Sequence, residues 1–140
     1  MKHYDFIYCD YVWANDKVAT YKGCYMTQCP HGDESKQHVS MLCMFDAAND
    51  TWIPEDNVKP IRLTEDILIL NEFESYNYTT HTTYDLGDVF HIVLDHGTFF
   101  AQVCSNNCVV TYVHELQHLL WVCGLGQIAR SLKLTKNVQL

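Results

Sequence analysis

The chain has 140 residues, 48% of them hydrophobic and 19% charged, a globular composition with too many aromatics and too little charge for a disordered polymer. Nine Lys and Arg against seventeen Asp and Glu give a formal charge of −8, which repels phosphate backbones and argues against nucleic-acid binding without a local basic patch. The one mild basic cluster, Arg130, Lys133 and Lys136, suits a helix C-terminus and a soluble tail instead.

Residues 1–10 (MKHYDFIYCD) have no apolar core of a signal peptide, and no stretch approaches the roughly 20 apolar residues of a membrane span. The seven cysteines are therefore expected as reduced thiols in a cytoplasmic protein, most of them filling core space.

From the N-terminus to about residue 60 the pattern reads as short β-strands. Tyr4–Tyr8, Val18–Tyr21, Val39–Phe45 and Thr51-Trp52-Ile53 are the candidates, with a polar loop at Gln28–Lys36 and a turn at Asn49-Asp50. So many short strands predict a small SH3-like β-barrel, because closure protects strand edges. Asp56–Leu63 is the connector, where Pro60 bars a helix and keeps Lys59 extended.

Thr64 is a good N-cap for a helix running to about Phe73, with Glu65 and Asp66 at its positive end and Leu63 able to staple onto Leu68. Ile67, Leu68 and Leu70 give that helix its buried side. An antiparallel meander follows, with strands at Thr79–Tyr84, Val89–Leu94 and Thr98–Cys104. Asp95-His96-Gly97 makes a tight hairpin and Ser105-Asn106-Asn107 another turn. A helix from about Thr111 stops at Gly124, and a weaker one runs from Gly126 to Lys133. The fold class is α+β, with subdomains 1–60 and 61–140 expected to form one compact unit.

The last long helix spells His114-Glu115-Leu116-Gln117-His118. Histidines four apart on a helix can ligate one zinc, and the glutamate between them can act as general base on a metal-bound water, as in the zinc peptidases this helix resembles. Two features of the residues oppose that reading. A catalytic zinc needs a third protein ligand, and no His, Asp or Glu follows His118. It would have to come from His81, Asp85, His91, Asp95, His96 or Cys123. On the helical wheel, Tyr112, Val113, Leu116, Leu119, Leu120 and Cys123 fill an arc of roughly 120°, with both histidines roughly 150–170° from its centre, so a solvated polar face is predicted for them.

A resemblance points the same way. Trp52–Leu68 (WIPEDNVKPIRLTEDIL), Asn71–Glu74, residues 10–17 (DYVWANDK) and Tyr112–Gln117 (YVHELQ) up to Gly124 resemble a group of small uncharacterised proteins of gut Bacteroides-type bacteria, their phages and mobile elements. In that group Gln commonly stands at the position of Glu115 and Asn at that of His118. The resemblance thus implies a structural helix, and it carries no activity.

Cys104 and Cys108 span a turn and can clamp a metal or form a disulfide, although two separate thiols at strand ends explain them as well. Cys24, Cys29, His31 and Cys43 offer a Cys3His set without a paired knuckle. Tyr11, Trp13 and Tyr25 crowd the N-terminal half and can line a binding groove. The expected function is a non-catalytic binding module of phage or mobile-element origin that sequesters a host protein or a small signalling molecule, with no cofactor. The rival is a zinc-dependent hydrolase using His114, His118 and Glu115.

Overall fold

A computed structural model describes residues 6, 10–14, 16–21, 24–28, 39–44, 52–54 and 57–140, with side chains at 6, 10–14, 16–21, 53 and 57–140. The expected strand Tyr4–Tyr8 (apart from Phe6), the polar loop after Gln28 and the Asn49-Asp50 turn lie outside the described residues. The chain is α+β and divides into two units, Met1–Pro60 and Ile61–Leu140.

The first unit contains β1 (Tyr11–Ala14), β2 (Lys17–Thr20), β3 (Cys24–Gln28), β4 (Val39–Met44), β5 (Trp52–Pro54) and β6 (Val58–Pro60). They form two antiparallel three-stranded sheets, ordered β2-β1-β6 and β3-β4-β5. Among the described residues no ladder joins one sheet to the other. Alternation along β1 sends Val12 and Ala14 into a core with Ala19, Tyr21, Val58 and Ile53, so both sheets feed one apolar cluster. Phe6 packs against it, its ring 5.6 Å from Tyr21. β6 lies within the stretch expected as a plain connector. Pro60, lacking an N–H, is tolerated because β6 is an edge strand.

The second unit contains α1 (Glu65–Leu70), β7 (Glu74–Asn77), β8 (Thr82–Leu86), β9 (Phe90–Asp95), β10 (Thr98–Val103), β11 (Asn106–Val110), α2 (Val113–Val122) and α3 (Gly126–Arg130). The five strands form one antiparallel meander in chain order. Its inner face carries Tyr84, Ile92 and Ala101 side by side, with Phe90, Phe99 and Val110 also buried. Ile67 and Leu68 of α1 and Val113, Leu116 and Leu120 of α2 are buried too, and Phe73 meets Phe90 edge-on at 6.4 Å. Each such side chain contributes about 1.5–3 kcal/mol by leaving water.

Thr64 caps α1 as its sequence predicts, its hydroxyl accepting from the Ile67 N–H at 3.4 Å. The helix is shorter than expected, because Asn71 ends it and Glu72, at φ 67°, turns the chain away before Phe73. Leu70 is accordingly not part of the buried side and stands 41% exposed. The strand expected at Thr79–Tyr84 is also corrected. β8 begins at Thr82, and a separate strand, β7, precedes it with all four residues exposed. An edge strand exposed on both faces has no apolar alternation to reveal it.

The Asp95–Thr98 hairpin has His96 at φ 49° and Gly97 at φ 78°, the left-handed pair a two-residue turn matching strand twist requires. The next turn falls on Cys104 (φ 51°) and Ser105 (φ 67°), one residue earlier than the expected Ser105-Asn106-Asn107, because Asn106 pairs with Val103. Residues 61–63 pair with 111–113 through Leu63 N–H to Thr111 C=O (2.9 Å) and Val113 N–H to Ile61 C=O (2.8 Å). That pairing fixes where α2 starts. Among the described residues no helix is long and apolar enough to cross a membrane.

Candidate functional site

The His114-Glu115-x-x-His118 motif occupies the first two turns of α2. Glu115 is engaged by the backbone just before the helix. Its Oε1 accepts from the backbone N–H groups of Tyr112 (2.9 Å) and Thr111 (3.0 Å), satisfying donors just before the helix. The carboxylate is a cap, where a hydrolase would need it free to reach a metal-bound water.

The histidines are not a solvated face, and the helical wheel misplaces them. His114 is only 3% exposed and stacks on Tyr112 with ring centroids 5.8 Å apart; His118 is half-buried. The His114 and His118 rings lie 5.6 Å apart and nearly perpendicular. Further along the same face, at Gln117 and Trp121, the cover is tertiary. Gly124, at φ 77°, reverses the chain and lays α3 back along the face the wheel assigned to water. Gln117 is 4% exposed on that face and donates to the Ala129 carbonyl at 2.9 Å. One turn on, Arg130 lies 4.7 Å over the Trp121 ring, and a Cβ on Gly126 would come within 2.6 Å of it. A wheel counts apolar side chains and cannot register a second packing partner that covers polar ones.

Among the described residues no group of three His, Cys, Asp or Glu side chains is placed to hold a metal. Of the upstream candidates, Asp85 bonds His91 at 2.8 Å, Asp95 bonds His96 at 2.5 Å and His81 stacks on Tyr78 at 4.9 Å. Cys123 is exposed at the end of α2. Cys104 and Cys108 are free thiols, the first exposed in a turn and the second opposite Ala101 in β11. In the other unit, Cys24 lies opposite Cys43 in the backbone register, and Cys29, His31 and the side chains of Cys24 and Cys43 lie outside the described residues.

Tyr11 and Trp13 are brought together, half-buried on the face of β1 opposite Val12 and Ala14, where they oppose Thr20 and Val18. Tyr25 is on β3, in the other sheet, and its side chain lies outside the described residues.

Sequence reasoning missed the outer face of the five-stranded sheet. Tyr76, Thr83, Val93, Phe100 and Val109 are successive cross-strand partners, one from each strand, and form a continuous row on that face. Tyr76 is 47% and Val109 54% exposed, and the three between are half-buried. Beside this row runs a polar one. Glu74 opposes Asp85, and Asp85 opposes His91, to which it is bonded. Gln102 and Asn107 oppose each other on β10 and β11, two residues along from Phe100 and Val109 on the same face. The Tyr76 hydroxyl donates to Glu74 at 2.8 Å, and that hydrogen bond together with the carboxylate charge raises the phenol above its ordinary pKa.

A signal for this face was present. Ile92-Val93-Leu94 and Phe99-Phe100-Ala101 are unbroken apolar runs, whereas an antiparallel strand with one wet face should alternate. Between Arg62 and Arg130 the sequence also contains no lysine or arginine, so every strand of this sheet lacks a fixed cation. No protein-family model matches this chain significantly, and neither does any curated protein or solved structure.

Proposed function

We propose that the chain is a non-catalytic binding module that seats a partner on the outer face of the five-stranded sheet. The observation that carries this reading is the Tyr76-Thr83-Val93-Phe100-Val109 row, apolar at its centre and accessible at both ends. Four inter-strand spacings make it about 19 Å long. It lies on an open sheet, whereas small ligands favour concave pockets. Of the two partners the sequence suggests, a host protein fits this surface better than a small signalling molecule. An origin in phage or mobile elements rests on the resemblance of residues 52–74 and 111–125.

An SH3-like barrel for residues 1–60 is supported by two three-stranded antiparallel sheets that share one apolar cluster. A reducing cytoplasm suits the free thiols of Cys104, Cys108 and Cys123.

The test is capture from host lysate on immobilised full-length chain, with Val109→Asp as the paired control. Stoichiometric retention of a protein by the wild type and its loss with the variant is the expected result. Retention unchanged by the variant, or no retained protein, overturns the reading.

A zinc-dependent hydrolase is the second reading, and one observation favours it: the His114 and His118 rings, 5.6 Å apart, are close enough to share an ion. The capping role of Glu115 weighs against it.

A further inference from the structure

We infer that the partner taken by this face is a cationic protein segment, with lysines or arginines flanking an apolar centre. The inference rests on the proposed binding role of the sheet and names the chemistry of its occupant.

Within strands β7 to β11 the fixed charges on the outer face are all negative: Glu74 and Asp85 side by side, and Asp95 opposite Thr98 at the end of the β9–β10 hairpin. Their partners in the sheet are Tyr76, His91 and His96, none of them a permanent cation. Asp85 and His91 remain reachable, with side chains 29% and 42% exposed. An apolar row bordered by carboxylates and lacking any Lys or Arg is half of a complementary pair. A partner that buries the row brings its own flanking groups against those carboxylates, where opposite charges raise the association rate and like charges oppose binding.

Charge also separates the possible occupants. A second copy of this chain would bring a −8 molecule, and the same carboxylates, against this face. Nucleic acid and small anions are repelled in the same way. An apolar row about 19 Å long matches about 13 residues of an amphipathic helix at 1.5 Å rise per residue. A basic amphipathic segment supplies both the stripe and the flanks.

The probe is a synthetic amphipathic helical peptide with leucines on one face and lysines flanking them. A counterpart with glutamate in place of lysine and a lysine peptide without leucines serve as comparisons. All three are titrated into full-length chain followed by amide chemical shifts. The leucine–lysine peptide is expected to shift Thr83, Val93, Phe100 and Val109, and to lose about tenfold or more in affinity as salt is raised from roughly 50 to 300 mM. The glutamate counterpart is expected to shift none of them.

The decisive variants are Val109→Asp and Phe100→Asp. Each adds a negative charge, so unspecific attraction predicts tighter binding, whereas seating on the apolar row predicts weakening by about tenfold or more. Val109 is exposed and so keeps the test intact should Phe100→Asp unfold, which circular dichroism reports. Unchanged or tighter binding by Val109→Asp, equal binding of the glutamate peptide, or dimerisation through this face overturns the inference. If the lysate partner is lost with Val109→Asp yet proves acidic at its contact, the cationic assignment falls and the binding role stands. If the lysate partner is unaffected by that variant, both fall.

Discussion

Asn71 and Lys133, 62 positions apart in sequence, hold each other by two backbone–side-chain hydrogen bonds. Asn71 Nδ2 donates to the Lys133 carbonyl at 2.8 Å, and the Lys133 N–H donates to Asn71 Oδ1 at 2.7 Å. The same Nδ2 also donates to the Ile67 carbonyl at 2.7 Å, so one amide both closes α1 and ties down the segment after α3. Asn71→Ala is expected to destabilise the chain by about 2 kcal/mol, since each net hydrogen bond contributes about 0.5–1.5. Asn71→Asp should do no better, because it turns a donor to two carbonyls into a repelling oxygen. Urea denaturation, with amide exchange at Lys133 as the local readout, checks both.

The role of Glu115 is open to a clean substitution. Gln keeps an acceptor oxygen for the Thr111 and Tyr112 N–H groups, whereas Ala leaves both without one. Glu115→Gln is expected to cost well under 1 kcal/mol and Glu115→Ala about 1–2 kcal/mol. A general base would show the opposite pattern, with hydrolytic activity abolished by Gln at unchanged stability.

Metal content separates the two functional readings. Chain purified without chelator is expected to carry far less than one zinc, with thermal stability unmoved by added zinc. About one zinc per chain, lost in His114→Ala/His118→Ala, would falsify this. Because His114 is buried, its truncation alone should destabilise by about 2 kcal/mol, so zinc content must be compared on folded material.

Tyr84 predicts an alkaline transition. Burial first, then the Glu65 charge and hydrogen bond and the Asp66 charge, push its phenol up to about 12. An unfolded tyrosine titrates near 10. The native state therefore keeps a proton the unfolded chain releases. That contribution, on the order of 2 kcal/mol, is fully present below about pH 10 and is lost as pH rises through about 12. Tyr84→Phe should flatten stability in this window relative to the wild type, as read by urea midpoints across pH.

The Cys104-Ser105 turn is a place where the protein can be improved. Both residues sit at positive φ, 51° and 67°, a conformation that costs most side chains about 1 kcal/mol or more. Asn-Gly suits this two-residue turn best. Cys104→Asn/Ser105→Gly is expected to raise stability by roughly 1–2 kcal/mol. A loss of stability in a thermal melt would show that the Cys104 side chain is itself doing something in the fold.

Much of the second unit was legible because its signals are local. Thr64 before Glu65 and Asp66 announces a helix start, Gly124 a helix stop, and Asp95-His96-Gly97 a tight hairpin; each depends on backbone chemistry within a few residues. β7 was missed because an exposed edge strand has no periodicity, and the end of α1 was misplaced because Asn71 is held by Lys133 from the far end of the unit.

The sequence alone determined the α+β class, the cation-free stretch between Arg62 and Arg130, and α2 as a helix carrying a zinc-like spelling. Only tertiary structure decided what that spelling does. Folding back at Gly124 brings Ala129 onto Gln117 and Arg130 over Trp121, and pairing of residues 61–63 with 111–113 sets the helix start at which Glu115 becomes a cap. The cross-strand register likewise decided that five scattered residues form one row on an open face. These relationships join residues from different segments, and propensity and periodicity act only within one.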